Sequence, residues 1–207
     1  MPRIQAPTVA EHRKLRRRAI LDAARALLEE TGRAPSLAAA GARVGLARPS
    51  VYQYFTSREA LLHGVVADVF PAWTTRVLDH VDAASTPADR VWAYVEANVE
   101  LFTGPEQTVA KALRTLIDPA VLHEHSSQFH IRQREPLLEA LRRLGEPEPE
   151  RMAELVNAAI LRACQDVEPD DGAAALALLD RLLRPYLNAH RNRTRTRQLP
   201  PARHQPP

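Results

Sequence analysis

The stretch "ARPSVYQYFTSREALL", residues 47–62, decides how the chain is read. It sets two tyrosines, a glutamine and two arginines on a segment too short to bury much of itself. Pro49 follows Arg48 near the start, where first-turn N–H groups have no intrahelical partner, so this proline begins a helix rather than breaking one. On a helical wheel of residues 48–55, Val51 and Phe55 share one side and pack inward. Pro49, Ser50, Gln53 and Tyr54 fall opposite, with Tyr52 at one flank and Arg48 at the N-terminal tip. Amide, hydroxyl, phenol and guanidinium groups presented together suit the base edges and phosphate oxygens of a DNA major groove. A small core capped by tyrosines with hydroxyls in water would use the same residues. The basic surroundings favour the first reading.

Working outward, the segment before it predicts two more helices. Ile20, Ala23, Ala24, Leu27 and Leu28 form one apolar stripe over about 11–31, and Gly32 suits the residue just past its end. Ser36 is placed to cap a short helix that ends near Gly45. Gly45-Leu46 then leaves a tight turn before the helix at 48–55, which makes a helix-turn-helix plan.

On the other side, Thr56 or Ser57 caps a longer helix, and Thr56 with Glu59 matches the capping-box spacing. Leu61, Leu62, Val65, Val66 and Val69 supply its apolar face, and Pro71 is expected to kink or interrupt it near Phe70. Thr86-Pro87 opens another helix carrying Val91, Val95, Val99 and Phe102, closed by Gly104-Pro105. Helices are expected over about 106–117 and 120–144, the second interrupted near Pro136. Residues 145–150 form a loop, followed by a helix striped by Met152, Leu155, Val156, Ala159, Ile160, Ala163 and Val167. A turn at 168–172 leads to a last helix over about 172–189 whose apolar arc is wide enough for the chain's own core and a second subunit.

Composition agrees with an all-α fold of about nine helices: an N-terminal three-helix unit and a larger helical body. The 207 residues are 45% hydrophobic, hold seven glycines, and show no glycine-centred hairpin between alternating apolar residues. Residues 1–58 hold 11 Lys and Arg against 4 Asp and Glu, whereas residues 59–189 hold 12 against 21. A basic N-terminal third beside an acidic body implies that a polyanion faces only one part. One cysteine, Cys164, excludes an intramolecular disulfide and suits a reducing compartment. The first twenty residues lack a secretory h-region and no apolar run is long enough for a membrane span, so a soluble, cytoplasmic protein is expected. The expected domains are a disordered arm at 1–10, the helix-turn-helix domain at 11–59, a ligand-binding and dimerisation domain at 60–189, and a disordered basic tail at 190–207.

The stretch "RAILDAARALLEETG" (18–32), Gly45 with Leu46 after it, "SVYQYF" (50–55) and "SREALL" (57–62), all in order, resembles the N-terminal DNA-binding domain of the TetR family of transcriptional regulators. The resemblance spans roughly a quarter of the chain. It implies a homodimeric, ligand-responsive regulator, usually a repressor, that binds a palindromic double-stranded DNA operator and needs no cofactor. By the resemblance, Arg48, Pro49 and Tyr52 approach bases, while Ser50, Gln53, Tyr54, Arg58 and Ser36 position phosphates. Three departures stand out. Ala40-Gly41 replaces a common Ile-Ala pair and is expected to thin the packing of helix 2. Ala47 forfeits a side-chain cap worth about 1 kcal/mol. Ala38 removes an occasional base reader. Arg13, Lys14, Arg16, Arg17 and Arg18 are expected to add phosphate contacts.

The body is expected to hold a mostly apolar cavity for a small-molecule effector. Asn98 is its most informative candidate, being an amide inside a valine stripe; Trp73, Trp92, Phe102 and His130 qualify by residue type. A dimer through the last two helices would use Ala159, Ala163, Leu176, Leu179, Leu183, Tyr186 and Leu187. Two rival readings exist: an all-α enzyme, metal-dependent through His123, His125 and His130, and a helical protein-binding adaptor. His123 and His125 are two residues apart, which on a helix points them away from each other, and no nucleophile–base motif or glycine-rich phosphate loop accompanies them.

Overall fold

The computed structural model describes residues 9–165 and 171–198. Among them are nine helices and no strand: α1 (Val9–Thr31), α2 (Leu37–Arg43), α3 (Arg48–Val51), α4 (Arg58–Ala83), α5 (Pro87–Thr103), α6 (Pro105–Leu116), α7 (Pro119–Leu144), α8 (Pro149–Cys164) and α9 (Gly172–Gln198). No described helix is long and apolar enough to cross a membrane.

The chain divides into two compact units, the first reaching to Ala72 and adding Pro105–Phe129. In it α1 packs on α2 and α6, and α2 packs on α3. Ile20, Ala24 and Leu28 of α1, Val51, and Leu61, Val65 and Val66 of α4 are fully buried or nearly so. Each helix starts where its chemistry allows. The Ser36 hydroxyl accepts from the Ala39 N–H at 3.0 Å. Ser57, not Thr56, caps α4 by accepting from the Ala60 N–H at 3.0 Å. The Phe70 ring meets Phe129 edge-on, with centroids 5.5 Å apart, and lies parallel to His125.

The second unit comprises Trp73–Gly104 and the residues from His130 onward; α5, α8 and α9 pack on one another there. Thr86 caps α5 by accepting from the Asp89 N–H at 3.1 Å, ahead of Pro87. The α9 core positions are Ala175, Leu179, Leu183 and Leu187, spaced four apart. On α8 the core is Ala153, Val156, Ile160, Ala163 and Cys164. Leu155 is 59% exposed, so the expected α8 stripe is rotated, and Val167 lies outside the described residues.

Four boundaries differ from the sequence expectation. α3 is a single turn, and residues 52–54 form a turn rather than helix. α4 runs unbroken through Pro71, and α7 through Pro136. An internal proline costs about 3 kcal/mol. In α4 it is flanked by buried Val65, Val66 and Val69 on one side and Trp73, Val77 and Val81 on the other; at roughly 1.5–3 kcal/mol per buried side chain, continuity wins. In α7, Leu137, Leu138 and Leu141 serve likewise. α9 continues to Gln198 instead of ending near 189, because arginine is a good helix former and no proline follows until Pro200. Residues 1–8 and 199–207, and most of the turn at 168–172, lie outside the described residues.

Candidate nucleic-acid interface

The first unit presents the segment at 47–62 as an exposed edge held by two buried anchors. Val51 is fully buried and Phe55 is 3% exposed. Gly45 supplies the turn before it with φ of 69°, a left-handed conformation that costs a side chain with a Cβ about 1 kcal/mol or more. Gly41 does a different job. A Cβ there would sit 2.1 Å from a Val51 methyl and 3.3 Å from the Leu46 carbonyl oxygen. The Ala40-Gly41 departure therefore corrects the expectation of thin packing: the missing side chain lets α3 come close to α2.

Outside these anchors, Arg48, Pro49, Tyr52 and Gln53 are exposed, Tyr52 by 44%, and Ser50 and Tyr54 are half-buried. Arg48 and Tyr52 meet Ser36 and Arg58 around a concavity of about 290 Å³. Leu37, Ala38, Thr56 and Ser57 complete its lining. Pro49, Ser50, Gln53 and Tyr54 stand outside it. The lining thus mixes two cations, hydroxyls and a small apolar floor, a combination that can accept a phosphate oxygen and a base methyl side by side. Leu37 and Ala38 enter through α2; Ala38 stands at the position already marked as an occasional base reader, whereas apolar Leu37 carries no such signal in the sequence.

The arginines divide by what already holds them. Arg58 Nη2 donates to the Ala34 carbonyl at 2.7 Å, bracing the turn before α2, and its remaining N–H groups stay available to a phosphate. Arg18 pairs with Asp22 and Asp68, and Arg43 pairs with Glu30. The bond from Arg43 holds the Glu30 carboxyl below its ordinary value. Arg17 lies over the Phe55 ring at 5.0 Å. Arg13 donates to the Gln53 carbonyl at 3.2 Å and Arg16 to the Val44 carbonyl at 3.5 Å. Arg13, Arg16, Arg17 and Arg18, four of the five cations expected to meet phosphates, thus each also make a contact inside the unit.

In the second unit the effector candidates have intramolecular roles. Asn98 is 4% exposed and its amide donates to the Tyr94 carbonyl one turn back at 2.8 Å, which satisfies it within α5. Trp92 donates through Nε1 to Glu96 at 2.6 Å, and Arg184 covers its ring at 4.3 Å. Trp73 is buried, Phe102 half-buried and His130 exposed. Tyr94 donates to Asn157 Oδ1 at 2.8 Å, and burial raises its hydroxyl to about 12. The sequence reading passed over Gln133, which is 3% exposed with no partner for Nε2 among the described residues. A single polar residue in α7 carries no periodicity signal that would mark it.

The proposed dimer residues divide in the same way. Leu179, Leu183, Leu187 and Ala163 serve the unit's own core, while Ala159, Leu176 and Tyr186 are half-buried, Tyr186 donating to Glu146 at 2.6 Å. The outward leucines are Leu155 and Leu161 on α8 and Leu178 and Leu182 on α9, each 48–59% exposed. Among the described residues, no three or more His, Cys, Asp or Glu side chains gather as a metal set. His123 instead meets the Ser127 hydroxyl, and His125 the Phe70 ring.

Comparison with known proteins agrees with this geometry. Residues 20–65 match the family described as "Bacterial regulatory proteins, tetR family". No curated protein sequence matches the chain. Among solved structures, a TetR/AcrR-family transcriptional regulator from Thermobifida fusca is 20% identical with a TM-score of 0.61, over 81% of this chain and 96% of that one. A TetR-family transcriptional regulator from Pectobacterium atrosepticum is 23% identical with a TM-score of 0.60, over 86% and 97%. AibR, solved with isovaleryl coenzyme A and operator DNA, is 19% identical with a TM-score of 0.53, over 80% and 96%. At these identities the structural likeness establishes the fold, and the match at 20–65 establishes the helix-turn-helix domain. Residues 20–65 thus carry the DNA-binding domain of the tetR family of bacterial regulatory proteins, and the chain as a whole shares the fold of solved TetR-family regulators.

Proposed function

We propose that the protein represses transcription by binding a palindromic operator as a homodimer, and releases it when a small, mostly apolar ligand occupies the helical body. It acts through binding alone, in the cytoplasm, with no catalytic step. The convergence of Arg48, Tyr52, Ser36 and Arg58 around one exposed concavity supports DNA as the partner. In this reading Arg48, Pro49 and Tyr52 face bases, Arg48 being suited to guanine O6 and N7, and Ser50, Gln53, Tyr54, Arg58 and Ser36 face phosphates. The outward leucines of α8 and α9 support a second copy as their cover.

The ligand reading rests on AibR, whose structure holds isovaleryl coenzyme A as well as operator DNA, and on buried Gln133, whose Nε2 has no partner among the described residues. Trp73 and Phe102 are its apolar candidates. Asn98, Trp92 and His130 stay in the proposal as weaker contributors because they are already bonded or exposed. Ligand binding would act by favouring a dimer in which the two recognition segments no longer match successive major grooves, about 34 Å apart.

Selecting bound duplexes from a random pool tests the reading. A two-fold symmetric consensus is expected, with half-sites about one helical turn apart. Recovery of unrelated sequences at every salt concentration would overturn it.

A further inference from the structure

We infer that Arg13 and Arg16 are positioning residues that clamp the recognition segment at both ends and so set its sequence selectivity, rather than contacting DNA themselves. α3 is a single turn, Arg48–Val51, and Ala47 before it offers no side-chain cap. One turn of helix is unfavourable to form and has almost no stiffness of its own. Val51 and Phe55 hold it to the core along one line, which leaves it free to rock about that line. Arg13 and Arg16 are three residues apart on α1 and share a face. One donates to Gln53, two residues past α3, at 3.2 Å, and the other to Val44, the α2 C-cap that opens the turn into α3, at 3.5 Å. Arg17 covers Phe55 from the same helix. Two backbone carbonyls flanking the helix are thus tied to one rigid rod of 23 residues, α1. A carbonyl bond carries no information about the side chain it passes, so the clamp orients Arg48 and Tyr52 whatever bases they read.

The inference rests on the DNA-binding reading, and the experiment keeps the two separable. The double variant Arg13→Met, Arg16→Met retains both apolar stems and removes both guanidinium groups. Hydrogen exchange over residues 44–56 is measured in the free protein. Affinity is measured for the selected operator and for an unrelated duplex across a salt series, with Lys14→Met as the comparison, since Lys14 is exposed on the same stretch of α1.

With an unchanged melting temperature, the clamp predicts faster exchange over 44–56 and about tenfold weaker operator binding. Affinity for the unrelated duplex and the slope of its logarithm against log salt stay near wild type. Unchanged exchange, with a slope reduced by about 0.9 for each arginine on both duplexes, would overturn the inference in favour of direct phosphate contacts. Wild-type exchange and wild-type operator affinity together would overturn it as well. If the variant melts early, each single substitution is run through the same measurements. Should the wild-type protein select no duplex, the function proposed above fails, while the exchange result still decides whether the clamp exists.

Discussion

At the scale of single residues, the edge proposed to face DNA depends on which side chains are absent as much as on which are present. Gly41 is the clearest case. Alanine would gain about 1 kcal/mol of helix propensity but would place a methyl 2.1 Å from Val51. The clash wins, and Gly41→Ala is expected to lower stability by about 1–3 kcal/mol, measured as a lower denaturation midpoint. Arg48→Ala and Tyr52→Ala remove exposed groups only, so operator affinity should fall about tenfold or more for each while melting temperature and oligomeric state stay unchanged. Parallel loss of stability would mean that the two residues support the fold instead. Cys164 gives a chemical check of burial. Its thiol is pushed up from 9.0 to about 11, so its thiolate fraction at pH 8 is about a hundredfold smaller than for an unperturbed cysteine. A thiol reagent at pH 8 should react slowly with the native protein and rapidly in denaturant.

At the scale of elements, start signals in the sequence transfer well to the structure. Ser36, Thr86 and Pro87 each stand where a helix begins, because a cap is a local bond between a hydroxyl and an N–H two or three residues ahead. Thr86→Ala should therefore cost about 1 kcal/mol in the second unit's stability, read by calorimetry. Stop signals transfer less well. Pro71 reads as a kink or a break and Pro136 as a break, yet α4 and α7 continue through them, since apolar burial on both sides outweighs one lost backbone bond. The length of α3 differs for a local reason. Beyond Val51 the backbone tightens into i→i+3 bonds, Gln53 N–H to the Ser50 carbonyl and Tyr54 N–H to the Val51 carbonyl, while the Phe55 N–H still reaches Val51 and Phe55 stays buried.

At the scale of the whole molecule, the outward leucines carry the main expectation. Leu178→Glu with Leu182→Glu places charge on the exposed face of α9 and leaves Leu179 and Leu183 in the core. If this face joins two copies as proposed, the protein should run as folded monomers by light scattering, with operator affinity falling by more than tenfold because two half-sites no longer bind together. A dimer of wild-type stability would move the interface elsewhere.

The helix-turn-helix was legible in the sequence because its signals are local: a glycine turn, a proline at a first turn, and two apolar residues four apart. The sequence by itself determined the helical class, most helix starts, and the polar edge at 48–54. Tertiary structure alone decided which apolar residues of α8 and α9 face the core, since a wide leucine arc offers several equivalent faces until a neighbour covers one. It also decided that the arginines of α1 act on carbonyls 28 and 40 residues away. Long side chains choose partners through space, and periodicity along the chain carries no record of that choice.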